Sequence, residues 1–270
     1  MRIAWYVLRR CAGGVVTVVA ASLVVFLLTH VLGDPAAGVL GTTARQPDVL
    51  AATRADLGLD RPLAEQFVDW WSGLLRADPG PSYATGAPFA GDLFVRLGNS
   101  VVLVAMATCI AVPVSILAGV GAAVRRDRWF DGVVNVSTLV LVAVPEFLLA
   151  TFLVSAFSDA GLGILPATSN VRGAVRPWND IAGMVLPVMT LALLAIPYVT
   201  RSMRASMAEA LDTEHIGAAR VNAVSARRLI WEHAWPNALP PTLQVISLSL
   251  AYLATGAVVL AFLRVWPPWL

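Results

Sequence analysis

Of 270 residues, 58% are hydrophobic and 13% charged; the mean hydropathy is +0.74 and the formal net charge only +2. That composition excludes a soluble globular domain. All 19 basic residues are arginine, so no Walker A phosphate loop and no lysine Schiff base can form, and any ATP that drives this protein is hydrolysed by another chain.

The chain opens with Arg2, Arg9 and Arg10, followed by an apolar run from about Cys11 to Leu32. At about 1.5 Å per residue this run crosses a hydrocarbon core of about 30 Å, and it exceeds the apolar core of about 7–15 residues of a cleaved signal peptide. Residues 1–32 therefore read as an N-terminal segment plus a first span, with His30 as an interfacial residue near its far end. Residues 33–98 are polar and hold eight acids against five arginines. Within them Asp48–Leu57 and Pro62–Leu75 read as short helices on the membrane surface, with Trp70 and Trp71 either at headgroup level or packed in a small cap. Cys11 and Cys109 fall in or beside apolar segments at no metal or disulfide spacing, and the expectation is two buried apolar thiols.

A membrane core occupies 99–263. A second span runs from about Asn99 to Val124, and a short basic turn follows, Arg125-Arg126-Asp127-Arg128-Trp129-Phe130-Asp131. A third span covers about Val133–Phe157, a fourth about Ile181–Thr200 with Pro187 and Pro197, and a fifth about Thr242–Leu263. Residues 264–270 form a short C-terminal remnant. The expected fold class is an all-α integral membrane protein with about five transmembrane helices. Glu146 lies mid-way along the third span beside Pro145. An ionisable group at membrane depth is costly, so Glu146 either lines a solute pathway or is a packing carboxyl bonded to a neighbouring helix.

The polar stretch from Arg201 to Pro241 lies between the fourth and fifth spans and carries five arginines. Met203, Met207, Leu211 and Ala218 recur near whole helical turns, which predicts one apolar stripe. Asn222-Ala223-Val224 breaks the run. Ser225 is placed to cap a second short helix through its hydroxyl. Leu229, Ile230 and Ala234 give that helix an apolar face, and Pro236-Asn237 is expected to end it. The loop reads as helix, break, helix, turn. Arginine is dense in the N-terminus, the 125–131 turn and this loop, and sparse in 33–98 and 158–180. By the positive-inside rule the first three are cytoplasmic and the other two exterior, an alternation consistent across five spans.

Several of these segments carry family motifs. Glu214-His-Ile-Gly-Ala-Ala-Arg220, Val-Asn-Ala-Val-Ser225, Arg228, His233 and Pro236-Asn237-Ala-Leu-Pro240 together resemble the "EAA" loop of binding-protein-dependent ABC importer permeases, with the dipeptide/oligopeptide/nickel subfamily fitting best. Gly33-Asp34-Pro35, Leu57-Gly58-Leu59-Asp60-Arg61-Pro62 with Gln66, and the 78–82 segment resemble that subfamily's "PGDP", "LGLDxPxxxQ" and "GDxGxS" boxes. The 125–131 turn resembles its "A-x-x-R-x-x-x-x-D" connection, and Gly161-Leu-Gly163-Ile-Leu165-Pro166 is similar to its exterior loop. The departures are Ala223 at the usual glycine, Asn222 at a common lysine, Leu32 at the usual proline, and Val-Trp-Pro-Pro-Trp in place of "VFxxPGxG". The family normally has six spans.

The resemblance implies that Asp212, Thr213, Glu214, His215, Ile216, Gly217, Ala218, Ala219, Arg220, Ala223 and Ser225 form a coupling element on an ATPase subunit. It implies a second homologous permease chain, two ATP-binding subunits that hold the ATP and magnesium, and an exterior solute-binding protein. This chain would bind no cofactor, catalyse no reaction and meet lipid but no nucleic acid, in a bacterial inner or plasma membrane. Di- or oligopeptides are the first substrate class, with nickel or other small solutes behind. A non-transporting membrane scaffold or sensor that retains the fold is the alternative.

Overall fold

A computed structural model of the protein describes residues 2–40, 46–78, 80, 90–158, 161–167 and 177–265. Expectations placed on the other residues, including most of the 78–82 box, part of the 158–180 loop and the last five residues, lie outside the described residues. Helices dominate, with no strand among the described residues: α1 Arg2–Leu32, α2 Pro35–Leu40, α3 Pro47–Asp56, α4 Leu63–Leu75, α5 Ala90–Val124, α6 Trp129–Ala143, α7 Glu146–Phe157, α8 Ile181–Leu211, α9 Glu214–Val221, α10 Ala226–Arg228 and α11 Trp235–Val265. A 3-10 turn covers Pro177–Asn179 and a π turn Leu229–Ala234. The chain divides into two compact units, Met1–Phe94 and Val95–Leu270.

In the first unit the two short helices expected between the first two spans are present. α3 opens on Pro47, whose fixed φ suits a first helical position. α4 packs one face on α1: Trp71 Nε1 donates to Ser22 Oγ at 3.0 Å, and the Phe26 and Phe67 rings meet edge-on at 5.4 Å. His30 lies 2.8 Å from the Phe26 carbonyl and 3.4 Å from Gln66 Oε1, so it joins α1 to the start of α4. Asp34 bonds Arg54 at 2.7 Å, and that guanidinium holds its carboxyl below the usual carboxylate range.

In the second unit α8 is the central helix. Leu186, Val188, Leu191, Ala192, Leu194, Ala195 and Val199 are buried against α7, α11 and Ala107 and Ala111 of α5. α5 comes unusually close to α8. A Cβ on Gly119 would lie 2.8 Å from both Met203 Cβ and the Thr200 carbonyl oxygen, and one turn earlier Ser115 Oγ donates to the Ile196 carbonyl at 3.2 Å.

In the third span Pro145 bends the helix: α6 and α7 meet at 103° across Val144-Pro145. Proline lacks the amide hydrogen a helix needs and forces the preceding residue out of the helical region, and Val144 is extended at ψ 121°. The helix of the fourth span continues past Thr200, since Arg201–Leu211 extends α8 without a break. The second short helix does not end at Pro236-Asn237: Ala226–Gly256 runs as one helix, with the π turn Leu229–Ala234 leading directly into Trp235 and Pro240 and Pro241 carried inside it. Among the described residues four helices are long and apolar enough to cross a membrane, or five if the bent pair is one span. Both cysteines are exposed rather than buried in the chain, since apolar positions on a membrane helix also cover its outer face.

Candidate coupling site

The 201–241 stretch folds as one braced end of the second unit. Met203 and Met207, on the predicted stripe, are 0% exposed, and Leu211 is half-buried. The next buried residue is Ile216, not Ala218, which is exposed. The cause is a break the periodicity did not show. α8 ends at Leu211, and Asp212 takes the C-cap position. Thr213 Oγ1 then turns back to donate to the Ala210 carbonyl at 2.6 Å. α9 restarts at Glu214 with a new helical phase, so a stripe counted through 212–213 loses register.

Ile216, Leu229, Ala234 and Ala238 close on Met203, Met207 and Ala210, with Ala219, Val224 and Ile230 at the edge. Six of these are Met, Ile, Leu or Val side chains, each worth about 1.5–3 kcal/mol when fully buried. A small core therefore fixes α9 and the π turn to the end of α8, and the expected apolar face of Leu229, Ile230 and Ala234 is present.

The turn after α9 depends on Ala223. Its φ is +58°, the left-handed region, which costs an L-residue about 1–2 kcal/mol. Around it Asn222 N donates to the Ala218 carbonyl at 3.1 Å and Val224 N to the Ala219 carbonyl at 3.2 Å. The second of these is the six-to-one bond of a Schellman C-cap, with Val224 packing back on the core beside Ala219. Ser225 does occupy the N-cap of α10, but its hydroxyl makes no capping bond, and Leu229 N bonds its carbonyl instead.

Two ion pairs join this end to the turn between α5 and α6. Arg126 Nη1 meets Asp212 Oδ2 at 2.7 Å, both side chains being exposed. Asp131, 3% exposed, is held by Arg204 in a two-pronged contact at 2.5 and 2.6 Å. It also accepts from the Asp127 backbone at 3.1 Å and from Asn135 Nδ2 at 2.9 Å. Four donors on a carboxylate in the first turn of a helix satisfy the charge that burial would otherwise penalise. Asp127 takes φ +62° to offer its amide. A cleft of about 300 Å³ lies between the turn and the loop, walled by Arg126, Arg128, Leu211, Asp212 and Leu229 among others.

What remains outward is the far face of α9. Glu214, His215, Gly217 and Ala218 are exposed, and Val221 is 88% exposed. A Cβ on Gly217 would meet nothing within 4 Å. Arg220 belongs to α9, but its side chain is outside the described residues. Glu146 stands apart from this cluster, at the first turn of α7, where Tyr252 Oη donates to its Oε2 at 3.4 Å. Sequence reasoning missed the Asp131–Arg204 pair. The available signal was an aspartate just inside an apolar helix, which demands a cation that only a neighbouring element can supply. No cluster of three metal-ligating side chains occurs among the described residues.

The profile of the family described as "Binding-protein-dependent transport system inner membrane component" matches residues 111–269, and that of its N-terminal membrane component matches residues 3–115. The chain belongs to this family. It is a permease of a binding-protein-dependent ABC importer, of the peptide subfamily, and a multi-pass component of an inner membrane transport system. The permease is 34% identical over 255 residues to a Brucella abortus protein named "Putative peptide transport system permease protein", covering 94% of this chain and 81% of the relative. It is 30% identical over 286 residues to the "Probable D,D-dipeptide transport system permease protein" of Escherichia coli, covering 97% and 84%. It is 31% identical over 263 residues to the glutathione transport system permease protein of Shigella flexneri, covering 97% and 83%. Such a permease implies partners of the ATPase and binding-protein kinds and is a transport component rather than an enzyme.

Proposed function

We propose that this permease forms half of a peptide channel and that α9 docks on an ATP-hydrolysing subunit, so that ATP turnover there drives solute through the membrane. The observation that carries the reading is Gly217. A glycine inside a helix costs about 0.5–1 kcal/mol relative to alanine, and among the described residues nothing lies within 4 Å of where its Cβ would be. A partner surface pressed against α9 gives that absence a use. The same helix is anchored through Ile216 and turned by Ala223, which presents Glu214, His215, Gly217 and Ala218 as one rigid face.

In this reading the N-terminus, the 125–131 turn and the 201–241 stretch are cytoplasmic and 33–98 exterior, as the arginine distribution supports. A second homologous permease completes the channel, two ATP-binding subunits carry ATP and magnesium, and an exterior binding protein delivers the solute. Di- and oligopeptides are the solute class, which the names of the relatives support. Glu146 lines the pathway between the permease chains. Asp212, Thr213 and Ser225 position the loop, and Ala219 and Arg220 complete the helix that docks.

The test is Gly217→Trp in the reconstituted full complex. Because Gly217 is exposed and a Cβ there meets nothing within 4 Å, assembly and thermal stability of the permease are expected to hold. ATP-dependent uptake is expected to fall at least ten-fold, and Gly217→Ala, which adds a single methyl to the same contact, is expected to lower it by a smaller factor. Uptake by Gly217→Trp at the unmodified rate contradicts docking through this face.

A further inference from the structure

The membrane helices around Glu146 contain no charge but its own. α7, residues 181–200 of α8 and residues 235–263 of α11 hold no other Asp, Glu, Lys or Arg. The carboxylate is half-buried, and the one hydrogen bond given to it is the Tyr252 phenol at 3.4 Å, a long contact from a neutral group. A carboxylate takes about four donors, and when desolvated it requires a counter-charge. Within this chain the described residues offer none.

Two further features stand at the same place. Tyr198 and Tyr252 pack edge-on with centroids 6.3 Å apart, yet both stay partly open, at 45% and 46% exposed. Aromatic faces attract a cation within about 6 Å. α6 ends at Ala143 and the chain turns at Val144-Pro145, so the last carbonyls of α6 lack intrahelical partners and are further acceptors. Gly256 brings the α11 backbone close to the carboxyl, since a Cβ there would lie 3.2 Å from Leu191 Cδ2 and 3.6 Å from Glu146 Oε2.

We propose that Glu146 with the Tyr198 and Tyr252 rings binds an ammonium group, the terminal amine of a peptide solute passing through the channel. The inference rests on the peptide-importer reading above. An ammonium supplies three donors and one positive charge, and here it meets one negative charge and two π faces. Site and ligand complete each other only while solute is present, as a pathway requires.

The test uses the full complex in proteoliposomes, with L-alanyl-L-alanine and N-acetyl-L-alanyl-L-alanine supplied so that each loads the binding protein equally. The unmodified complex is expected to move the free amine about ten-fold faster than the acetylated peptide. In Glu146→Gln that ratio is expected to drop to about one; Tyr252→Phe retains most of it, and Tyr252→Leu loses a large part. A ratio unchanged in Glu146→Gln, or equal slowing of both peptides, overturns the site. Loss of assembled complex in Glu146→Gln also overturns it, because the counter-charge then belongs to the second permease. An unmodified complex that moves neither peptide overturns the peptide reading itself, and this ligand with it.

Discussion

Gly119 gives the sharpest test of the packing. Adding one methyl as Gly119→Ala would put carbon 2.8 Å from Met203 Cβ, 2.8 Å from the Thr200 carbonyl oxygen and 3.1 Å from Arg204 N. Non-bonded carbons sit about 3.5–4.0 Å apart, and these neighbours are backbone or Cβ atoms that no rotamer change can move. α5 and α8 must separate by somewhat under an ångström. Overpacking of this kind costs about 1–3 kcal/mol. The Ser115–Ile196 bond, already 3.2 Å, would stretch towards loss, adding about 1 kcal/mol. The sum is roughly 2–4 kcal/mol, or on the order of 5–15 °C in Tm by the scaling of soluble domains of this size. The assay is thermal unfolding of purified protein in detergent, with Gly217→Ala alongside. That control adds its methyl to open space in a helix and is expected to hold or gain stability. If Gly119→Ala unfolds at the same temperature as the unmodified protein, the close approach of α5 and α8 is wrong.

Other outcomes follow from the same geometry. Ala223→Gly relieves the left-handed strain at φ +58° and is expected to stabilise the loop by about 1 kcal/mol, read as roughly five-fold slower amide exchange in α9 and α10; faster exchange would contradict the turn. Asp131→Asn leaves Arg204 facing a neutral amide and is expected to destabilise by about 3–5 kcal/mol, whereas Asp131→Arg with Arg204→Asp recovers part of the loss; equal damage from single and double variants would deny the pairing. Ser225→Ala is expected to change stability by no more than about 0.5 kcal/mol, since its hydroxyl caps nothing. A cysteine at Leu75, 79% exposed on α4, is expected to react with an impermeant maleimide in intact cells; labelling only after membrane disruption would reverse the orientation.

The sequence made α3, α4 and the membrane helices legible because each has a strong local signal: a proline start, an amphipathic face, or an apolar run of spanning length. The apolar faces of the 201–241 stretch were legible for the same reason. What it concealed were events that depend on partners distant in sequence or on phase. Leu211 and Ala218 fit one stripe on paper, but the Asp212-Thr213 break resets the register and buries Ile216 instead. Pro236 looked like a stop because proline punctuates helices, yet the π turn Leu229–Ala234 runs directly into Trp235 and the helix continues through it. The left-handed Ala223 has no sequence signal of its own, since alanine is an ordinary helix residue. The Asp131–Arg204 pair spans 73 residues and needed the fold to bring α6 beside α8.

The claim that α9 is the docking helix is tested most directly by crosslinking. With Cys11 and Cys109 replaced, single cysteines are placed at Glu214 and Ala218 on the exposed face of α9 and, as a control, at Leu248, 65% exposed on α11. A short bifunctional maleimide applied to the assembled complex is predicted to join the 214 and 218 positions to the ATP-hydrolysing subunit and the 248 position not at all. Crosslinks from 214 and 218 that reach only another permease chain, or none that reach the ATP-hydrolysing subunit, would contradict it.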